Sequence, residues 1–483
     1  MKSIFFIDLY FLKLAQYYKW KPSTRLSLLN MSIDYLDNNT ICAISTAPGV
    51  GGVAIIRVSG KNSISICDQL LTKSIINLTG YSVIYCSFKN NNEIIDDVVV
   101  TIYKGPHSFT GENVVEISCH GSSYIQQRVI EELINNGCSM AGPGEFSQRA
   151  FLNGKMDLSQ TEAIADLIHS KNEAAHQTAL KQMKGGFSNE LKELREKLIS
   201  FASLVELELD FSEEDVEFAD RKELYHLVNE LSSHVSTLIE SFKLGNAIKN
   251  GVQTVIIGRP NAGKSTLLNG LLNEQRALVS STPGTTRDTI EEVLNIKGID
   301  FRFIDTAGIR ETLDSIEKMG VKRALEKIET SSLIIYVYDA SKEKAEDVEK
   351  DLNSFNTSNL PILTIANKAD LLKSNNTIPR NHLKLSAINT KDCQKVKDEI
   401  YSLSGLNNLN LESTIVTNAR HVEALQKAHA DLLKVKQAMD DNVTGDFLAM
   451  DIRQVLHHLG TITGEISSDD LLGNIFANFC IGK

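Results

Sequence analysis

Gly258-Arg259-Pro260-Asn261-Ala262-Gly263-Lys264-Ser265 has the spacing G-x-x-x-x-G-K-S and lies in the middle of a 483-residue chain. The apolar run Val252–Ile257 precedes it and Leu267-Leu268 follows, the order that a strand, a phosphate loop and a helix require. Glycines there let backbone N–H groups close on phosphate oxygens, Lys264 reaches the β/γ oxygens, and the Ser265 hydroxyl can ligate Mg²⁺. A chain this long exceeds one hydrophobic core. A phosphate loop at mid-chain therefore means a nucleotide module inserted into another body.

Further elements follow in the order and spacing of a GTPase. Gly284-Thr285-Thr286-Arg287-Asp288 supplies a switch threonine, with Thr286 placed to ligate Mg²⁺ opposite Ser265. Asp305-Thr306-Ala307-Gly308 ends the strand Phe301–Ile304, so that Asp305 can hold Mg²⁺ through water and the Gly308 N–H can meet the γ-phosphate. Asn367-Lys368-Ala369-Asp370 ends the strand Ile362–Ala366. Asp370 can accept from guanine N1–H and the exocyclic amine, with Asn367 on the opposite edge; adenine would leave that carboxylate facing no donor. Ser386-Ala387 closes the base pocket. Ile309 stands where Ras-like GTPases carry a water-positioning glutamine, and neither it nor the adjacent Arg310 fills that role.

The flanks differ in texture. No proline lies between Pro143 and Pro260 or after Pro379. Leu191, Leu194, Leu198, Phe201, Val205 and Leu209 recur at helical intervals, and Val422–Met439 and Phe447–Leu459 are again helical. Ser159-Gln160-Thr161-Glu162 reads as a capping box opening an earlier helix. Residues 40–130 carry short β-branched runs, Thr40–Ser45, Gly52–Val58, Asp97–Tyr103 and Val114–Ser118, broken by Gly, Pro and Asn. The expected architecture is multidomain α/β and α+β: a P-loop GTPase domain inserted into a discontinuous helical domain, preceded by a small α+β domain. Its boundaries are a 1–31 extension, 32–154 for the α+β domain, 155–249 and 412–483 for the helical halves, and 250–411 for the GTPase.

A net charge of −11 argues against nonspecific polyanion binding as the main task, so RNA contact needs a local basic patch or a partner's surface. Seven dispersed cysteines without a C-x-x-C pair read as reduced thiols. His457-His458 has no ligand-spaced Cys or carboxylate and reads as an ordinary helix position. Met1–Trp20 is apolar but broken by Asp8, Lys13 and Lys19, and its apolar stretch is too short to span a bilayer. An upstream extension before a start at Met31, a targeting or membrane-surface segment, and a structural helix remain alternatives for it.

The chain resembles the bacterial and organellar tRNA-modifying GTPases of the MnmE, or TrmE, family from about residue 32 to 483. Beyond the GTPase elements, the resemblance rests on Pro48-Gly49-Val50-Gly51-Gly52 leading to Arg57, on Ser108-Phe109-Thr110-Gly111-Glu112 and on Gly142-Pro143-Gly144-Glu145-Phe146-Ser147. It rests also on Ala150-Phe151-Leu152-Asn153-Gly154-Lys155-Met156-Asp157-Leu158 and on the final Cys480-Ile481-Gly482-Lys483. It implies a GTPase in which K⁺ takes the place of an arginine finger, held by Asn261, Ser280, Thr282 and Thr285. It implies that Glu317 orients the attacking water; read alone, Glu317 is a solvated helix carboxylate. The implied nucleotide set is Asn261, Ala262, Gly263, Lys264, Ser265 and Thr266, then Ser280, Ser281, Thr282, Pro283, Gly284, Thr285 and Thr286. Asp305, Thr306, Ala307 and Gly308, Asn367, Lys368, Ala369 and Asp370, and Ser386, Ala387 and Ile388 complete it. Ile388 departs from the family's basic residue, and Thr282-Pro283 from its usual apolar and small pair.

The resemblance further implies that Arg57, Glu116, Lys155 and the terminal Lys483 bind 5-formyl- or 5,10-methylene-tetrahydrofolate. It implies modification at C5 of the tRNA wobble uridine, a homodimer, a cytoplasmic location, and a separate FAD- and NADH-dependent partner. The absence of a G-x-G-x-x-G fingerprint after a strand fits a redox step supplied by that partner. Cys480 is open between packing beside Phe476 and Phe479 and acting as a thiol nucleophile. Two other readings compete. An Era-type RNA-assembly GTPase would carry an appended basic domain, whereas the C-terminal part here is helical and not basic. A prenylated signalling GTPase would use Cys480 fourth from the end, but Gly482 is not aliphatic and no polybasic run precedes it. Stable membrane association is therefore not expected.

Overall fold

The computed structural model describes residues 39–91, 93–210, 221–273, 292–304, 328, 331–355, 360–372, 378–405, 413–441, 443 and 445–482. The chain forms two compact units: one holds residues up to Met156 together with Ser468 onward, the other Asp157–Ser467. The segment from Ser468 thus departs from the expected assignment of 412–483 to the helical domain. The apolar face of its helix Asp469–Phe476 packs against helix Glu145–Leu152.

The first unit is built on β1 (Ile41–Ile44), β2 (Gly51–Ser59), β3 (Ser82–Asn90), β4 (Glu93–Tyr103), β5 (Val114–Gly121) and β6 (Ser139–Met140). Their order is β3-β4-β5-β2-β1-β6, antiparallel except for the parallel β1–β6 pair. Strand alternation sends Ala54, Ile56, Val58, Val100 and Ile117 into one core under α1 (Ser63–Gln69) and α2 (Ser123–Asn135). Arg57 and Glu116 consequently stand on the other face, opposite each other in the β2–β5 register. The four runs anticipated as strands are present. β3 was not anticipated: consecutive apolar Val83, Ile84 and Tyr85 hide the period of two.

In the second unit, α3 (Leu158–His169), α4 (Glu173–Met183), α5 (Gly186–Asp210) and α6 (Arg221–Asn250) precede the nucleotide module. After it come α7 (Ala419–Asp440) and α8 (Gly445–Thr463). One core joins both halves: Leu191, Leu198, Val228 and Val235 pack with Leu425, Leu432, Ile452 and Val455. The capping box of α3 lies two residues before its expected place. Asp157 caps the Gln160 N–H, and the Gln160 side chain returns a bond to the Asp157 N–H.

That shift leaves Glu162 inside the helix and buried. Its carboxylate accepts from Arg420 Nε and Nη2 at 3.0 and 2.8 Å and lies 2.6 Å from His421 Nε2. Arg420 also donates to the Thr461 and Ile462 carbonyls at the end of α8. A residue before the insertion is therefore clamped to two elements after it.

The module's strands are β7 (Val252–Ile257), β8 (Glu292–Ile296), β9 (Ile299–Phe303), β10 (Leu333–Asp339), β11 (Ile362–Asn367) and β12 (Leu383–Lys384). They run in the order β12-β11-β10-β7-β9-β8, parallel apart from the β8–β9 hairpin. Every residue of β10 is buried, as expected of a central parallel strand covered on both faces. The chain enters through Gly251, where φ is +79° and a Cβ would lie 2.8 Å from the Asp300 carbonyl oxygen. It returns through Ile415–Thr417, which passes so close to α6 that a Cβ on Gly245 would collide with the Val416 carbonyl. The two crossings are thus adjacent, and Ile248 and Ile415 both enter the module's core.

Burial alone would raise the Glu162 pKa, but His421 and Arg420 overcome it and hold the carboxyl at about 2. Its stabilising contribution is complete above pH 4.5, its ordinary value, and is lost as pH falls toward about 2. Glu162→Ala is expected to destabilise the helical domain by about 3–5 kcal/mol at neutral pH. Urea unfolding of variant and wild type should converge at the acid end; equal midpoints at pH 7 would count against the clamp.

Candidate functional site

The phosphate loop sits between the C-terminal end of β7 and the helix Lys264–Asn273. Gly258 has φ +146° and a Cβ there would strike the Val337 carbonyl; Gly263 has φ +97° and a Cβ would strike the Asn367 amide. Both positions therefore require glycine. Lys264 donates to the Gly258 and Arg259 carbonyls at 2.8 and 2.9 Å, curling back along the loop it belongs to. Burial, partly opposed by Glu343, lowers its pKa. Arg259 anchors the outer side of the loop on Asp351, which also accepts from the Tyr336 hydroxyl at 2.7 Å.

Asn367 does more than the expected contact with the base. Its amide nitrogen donates to the Ala262 carbonyl at 2.8 Å, and its oxygen accepts from the Ala387 N–H at 2.9 Å. It ties the phosphate loop to the base-closing loop and is buried while doing so. Lys368, in the left-handed region at φ +59°, bridges the Asn261 carbonyl and Asp339 Oδ2, both at 2.7 Å. Burial works against the charged form of Asp339, yet bonds from Lys368 and Ser341 win and hold its carboxyl below the usual range. Asp339 escaped the sequence reading; an acid closing the apolar run Leu333–Tyr338 was the available signal.

Asp370 is exposed in the single turn Ala369–Leu371, and Ser386 is held by Asp392 Oδ2 accepting from its N–H at 3.1 Å. Ile388 projects into solvent at 82 % exposure, so its departure from a basic residue removes no packing. Asn261 is exposed on the loop, and Ser265 and the exposed Thr266 stand in the first turn of the helix Lys264–Asn273. Ser280, Ser281, Thr282, Pro283, Gly284, Thr285, Thr286, Asp305, Thr306, Ala307, Gly308, Ile309, Arg310, Glu317 and Lys483 lie outside the described residues.

The first unit gathers its own set. Arg57 and Glu116 pair with each other, Nε and Nη2 donating to Oε1 at 2.9 and 2.8 Å. The resemblance implied only that each contacts a folate, not that they contact each other. The Arg57 guanidinium lies 5.4 Å from the Phe109 ring centre and 5.7 Å from that of Phe146. Neither ring was singled out from sequence, although both fall inside the motifs quoted there. Lys155 donates to the Pro106 carbonyl at 2.9 Å, on the loop that carries Phe109. Beneath, buried Arg149 joins Glu112, Glu145 and the Asn39 carbonyl.

The C-terminal motif is clasped by its backbone in this unit. Gly144 N–H donates to the Cys480 carbonyl at 3.3 Å, Pro143 bridges Ile481, and Ser45 Oγ donates to the Gly482 carbonyl at 3.2 Å. Gly144 has φ +65°, and a Cβ on it would come within 2.9 Å of the Phe476 carbonyl oxygen and of Phe479. The six other cysteines are buried, whereas the Cys480 side chain is exposed, which removes the packing alternative for it.

Two family models together span these parts: "GTP-binding protein TrmE N-terminus" over residues 40–155 and "MnmE helical domain" over residues 158–480. A tRNA modification GTPase MnmE of Flavobacterium johnsoniae is 47% identical over 93% of this chain and 100% of its own length. Those of Flavobacterium psychrophilum and Cytophaga hutchinsonii are 49% and 50% identical, each over 92% of this chain. The chain belongs to the MnmE family. The G domain of the T. maritima FeoB iron transporter, 22% identical over 31% of this chain and 98% of its own at a TM-score of 0.23, adds nothing to that assignment.

Within this MnmE-family chain, Asn367→Ala would leave the buried Ala262 carbonyl and Ala387 N–H without their partner. GDP affinity measured by calorimetry should fall at least about tenfold while the helical core keeps its unfolding midpoint. Unchanged affinity would mean that the two loops are aligned by something else.

Proposed function

We propose that this chain is a potassium-dependent GTPase acting in tRNA modification, at C5 of the wobble uridine, together with a flavin-dependent partner. The observation that carries the reading is that similarity to MnmE proteins runs through the N-terminal unit and the helical domain as well as the GTPase elements. An Era-like assembly GTPase would need only the GTPase elements.

In the nucleotide site, the loop N–H groups and Lys264 receive the phosphates, and Asp370 reads the guanine edge from its exposed turn. Asn367 keeps the two loops at fixed spacing, so phosphate and base are sensed together. Ser265 would hold Mg²⁺ with Thr286, and Asn261, Ser280, Thr282 and Thr285 would hold K⁺. Potassium would add positive charge where negative charge develops between the phosphates. Glu317 would orient the attacking water, the task that Ile309 cannot perform.

The first unit offers a guanidinium, a carboxylate, an ammonium and two phenyl rings on neighbouring elements. That donor set suits a tetrahydrofolate: rings stack on the pterin, Glu116 pairs with its amidine-like edge, and Arg57 and Lys155 meet the glutamate tail. Folate, when bound, supplies the one-carbon unit. Arg57 and Glu116 must loosen their mutual pair to serve it. The backbone clasp presents the exposed Cys480 thiol from the same unit, with Lys483 following it. Dimerisation through this unit and a cytoplasmic setting belong to the same proposal. Among the described residues no helix is long and apolar enough to cross a membrane.

GTP turnover should rise severalfold or more in K⁺ over Na⁺; equal rates would sink the cation assignment. Deleting residues 480–483 should spare GTP turnover and abolish modification. Nucleoside mass spectrometry of tRNA from cells lacking the protein tests the whole reading, because an unaltered wobble-uridine profile overturns it.

A further inference from the structure

The surface where the nucleotide module joins the helical domain contains a cleft of about 230 Å³. That is several times the ~30 Å³ share of one water. Both chain crossings line it, through Lys249-Asn250 on the way in and Thr417 on the way out. Lys171, from the turn between α3 and α4, and Arg302, from β9, complete its basic side.

Its charges do not balance. Lys249 is neutralised by Asp166 at 2.6 Å, and Asp166 also faces the Thr417 hydroxyl at 3.5 Å. Arg302 and Lys171 have no carboxylate partner among the described residues. Arg302 Nε is buried without any hydrogen-bond partner. Its stem crosses the Gly251 entry point, where a Cβ would sit 3.3 Å from Arg302 Cγ and Nε. A buried guanidinium nitrogen without an acceptor costs stability, and the residue that carries it lines the cleft. In a chain of net charge −11 this is a local reversal of sign.

We propose that this cleft binds a phosphate group, which the planar Arg302 fork would grip with two parallel hydrogen bonds while Lys171 supplies the second charge. β9 ends two residues before Asp305 in the sequence, so the bound anion would rest on the strand preceding the expected Mg²⁺-holding motif and on both connections of the module. If the chain acts on tRNA, as proposed above, a backbone phosphate of that RNA is one source; a free nucleotide or phosphate is the other.

The test uses the full-length protein saturated with GDP and Mg²⁺, which keeps the phosphate loop occupied. Pyrophosphate should raise the melting temperature of wild type, raise that of Arg302→Lys less because the charge stays and the fork is lost, and not raise that of Lys171→Gln/Arg302→Gln. In fluorescence anisotropy with tRNA, the double variant should bind about tenfold more weakly, its salt dependence flattened by about one phosphate contact. Loss of both responses supports an RNA phosphate in the cleft. Loss of the pyrophosphate response alone supports a free phosphate or nucleotide. Retention of both overturns the site, whatever the wobble-uridine profile shows. Unchanged GDP affinity in the exposed single variant Lys171→Gln guards against misreading a folding defect.

Discussion

A single carboxylate bears the problem that the insertion creates. The chain leaves the helical domain at Gly251 and takes it up again near Ile415, so the two helical halves must find each other without a short covalent link. Glu162 meets that need by accepting from Arg420 and contacting His421, both at the start of α7, while Arg420 also reaches the end of α8. A buried ion pair repays its own desolvation only narrowly. What it supplies here is registry, because an apolar contact tolerates sliding and this constellation of oriented bonds does not. The module can then hang from two adjacent strands of chain whose spacing is set by glycines at 245 and 251.

Inside the module, the same economy recurs. Asn367 and Lys368 reach back to the phosphate loop, and Asn367 also reaches forward to Ala387. Loops that contact opposite ends of a nucleotide are therefore one hydrogen-bonded assembly resting on the ends of β7, β10 and β11. A shift in any of them must be shared by the others, which is the physical basis for coupling.

What the sequence disclosed follows from how local the constraint is. The phosphate loop, the base-reading turn and the strands before them were legible because the chemistry fixes residue types within eight or fewer positions. The helical halves were legible from their period. The double duty of Asn367 was not, since Ala262 lies 105 residues away. The Arg57–Glu116 pair was hidden for the same reason: it depends on the register of β2 against β5 across 59 residues. Phe109 and Phe146 became site residues only when folding carried them to one guanidinium. The capping box slipped by two residues because Ser159-x-x-Glu162 and Asp157-x-x-Gln160 compete in sequence, and burial of Glu162 beside Arg420 decides between them.

The backbone clasp on Cys480–Gly482 also bears on how the molecule is made. Ser45 and Gly482 are 437 residues apart, yet they share a hydrogen bond in the first unit. During synthesis, the sheet of that unit emerges early, but the groove between Ile44 and Gly144 has to wait until the whole of the second unit has left the ribosome. Closing so long a loop costs entropy that grows only slowly with length, and the delay is set by translation more than by thermodynamics. A nascent chain would therefore hold the sheet of the N-terminal unit with its strap missing until residues 480–482 have been made.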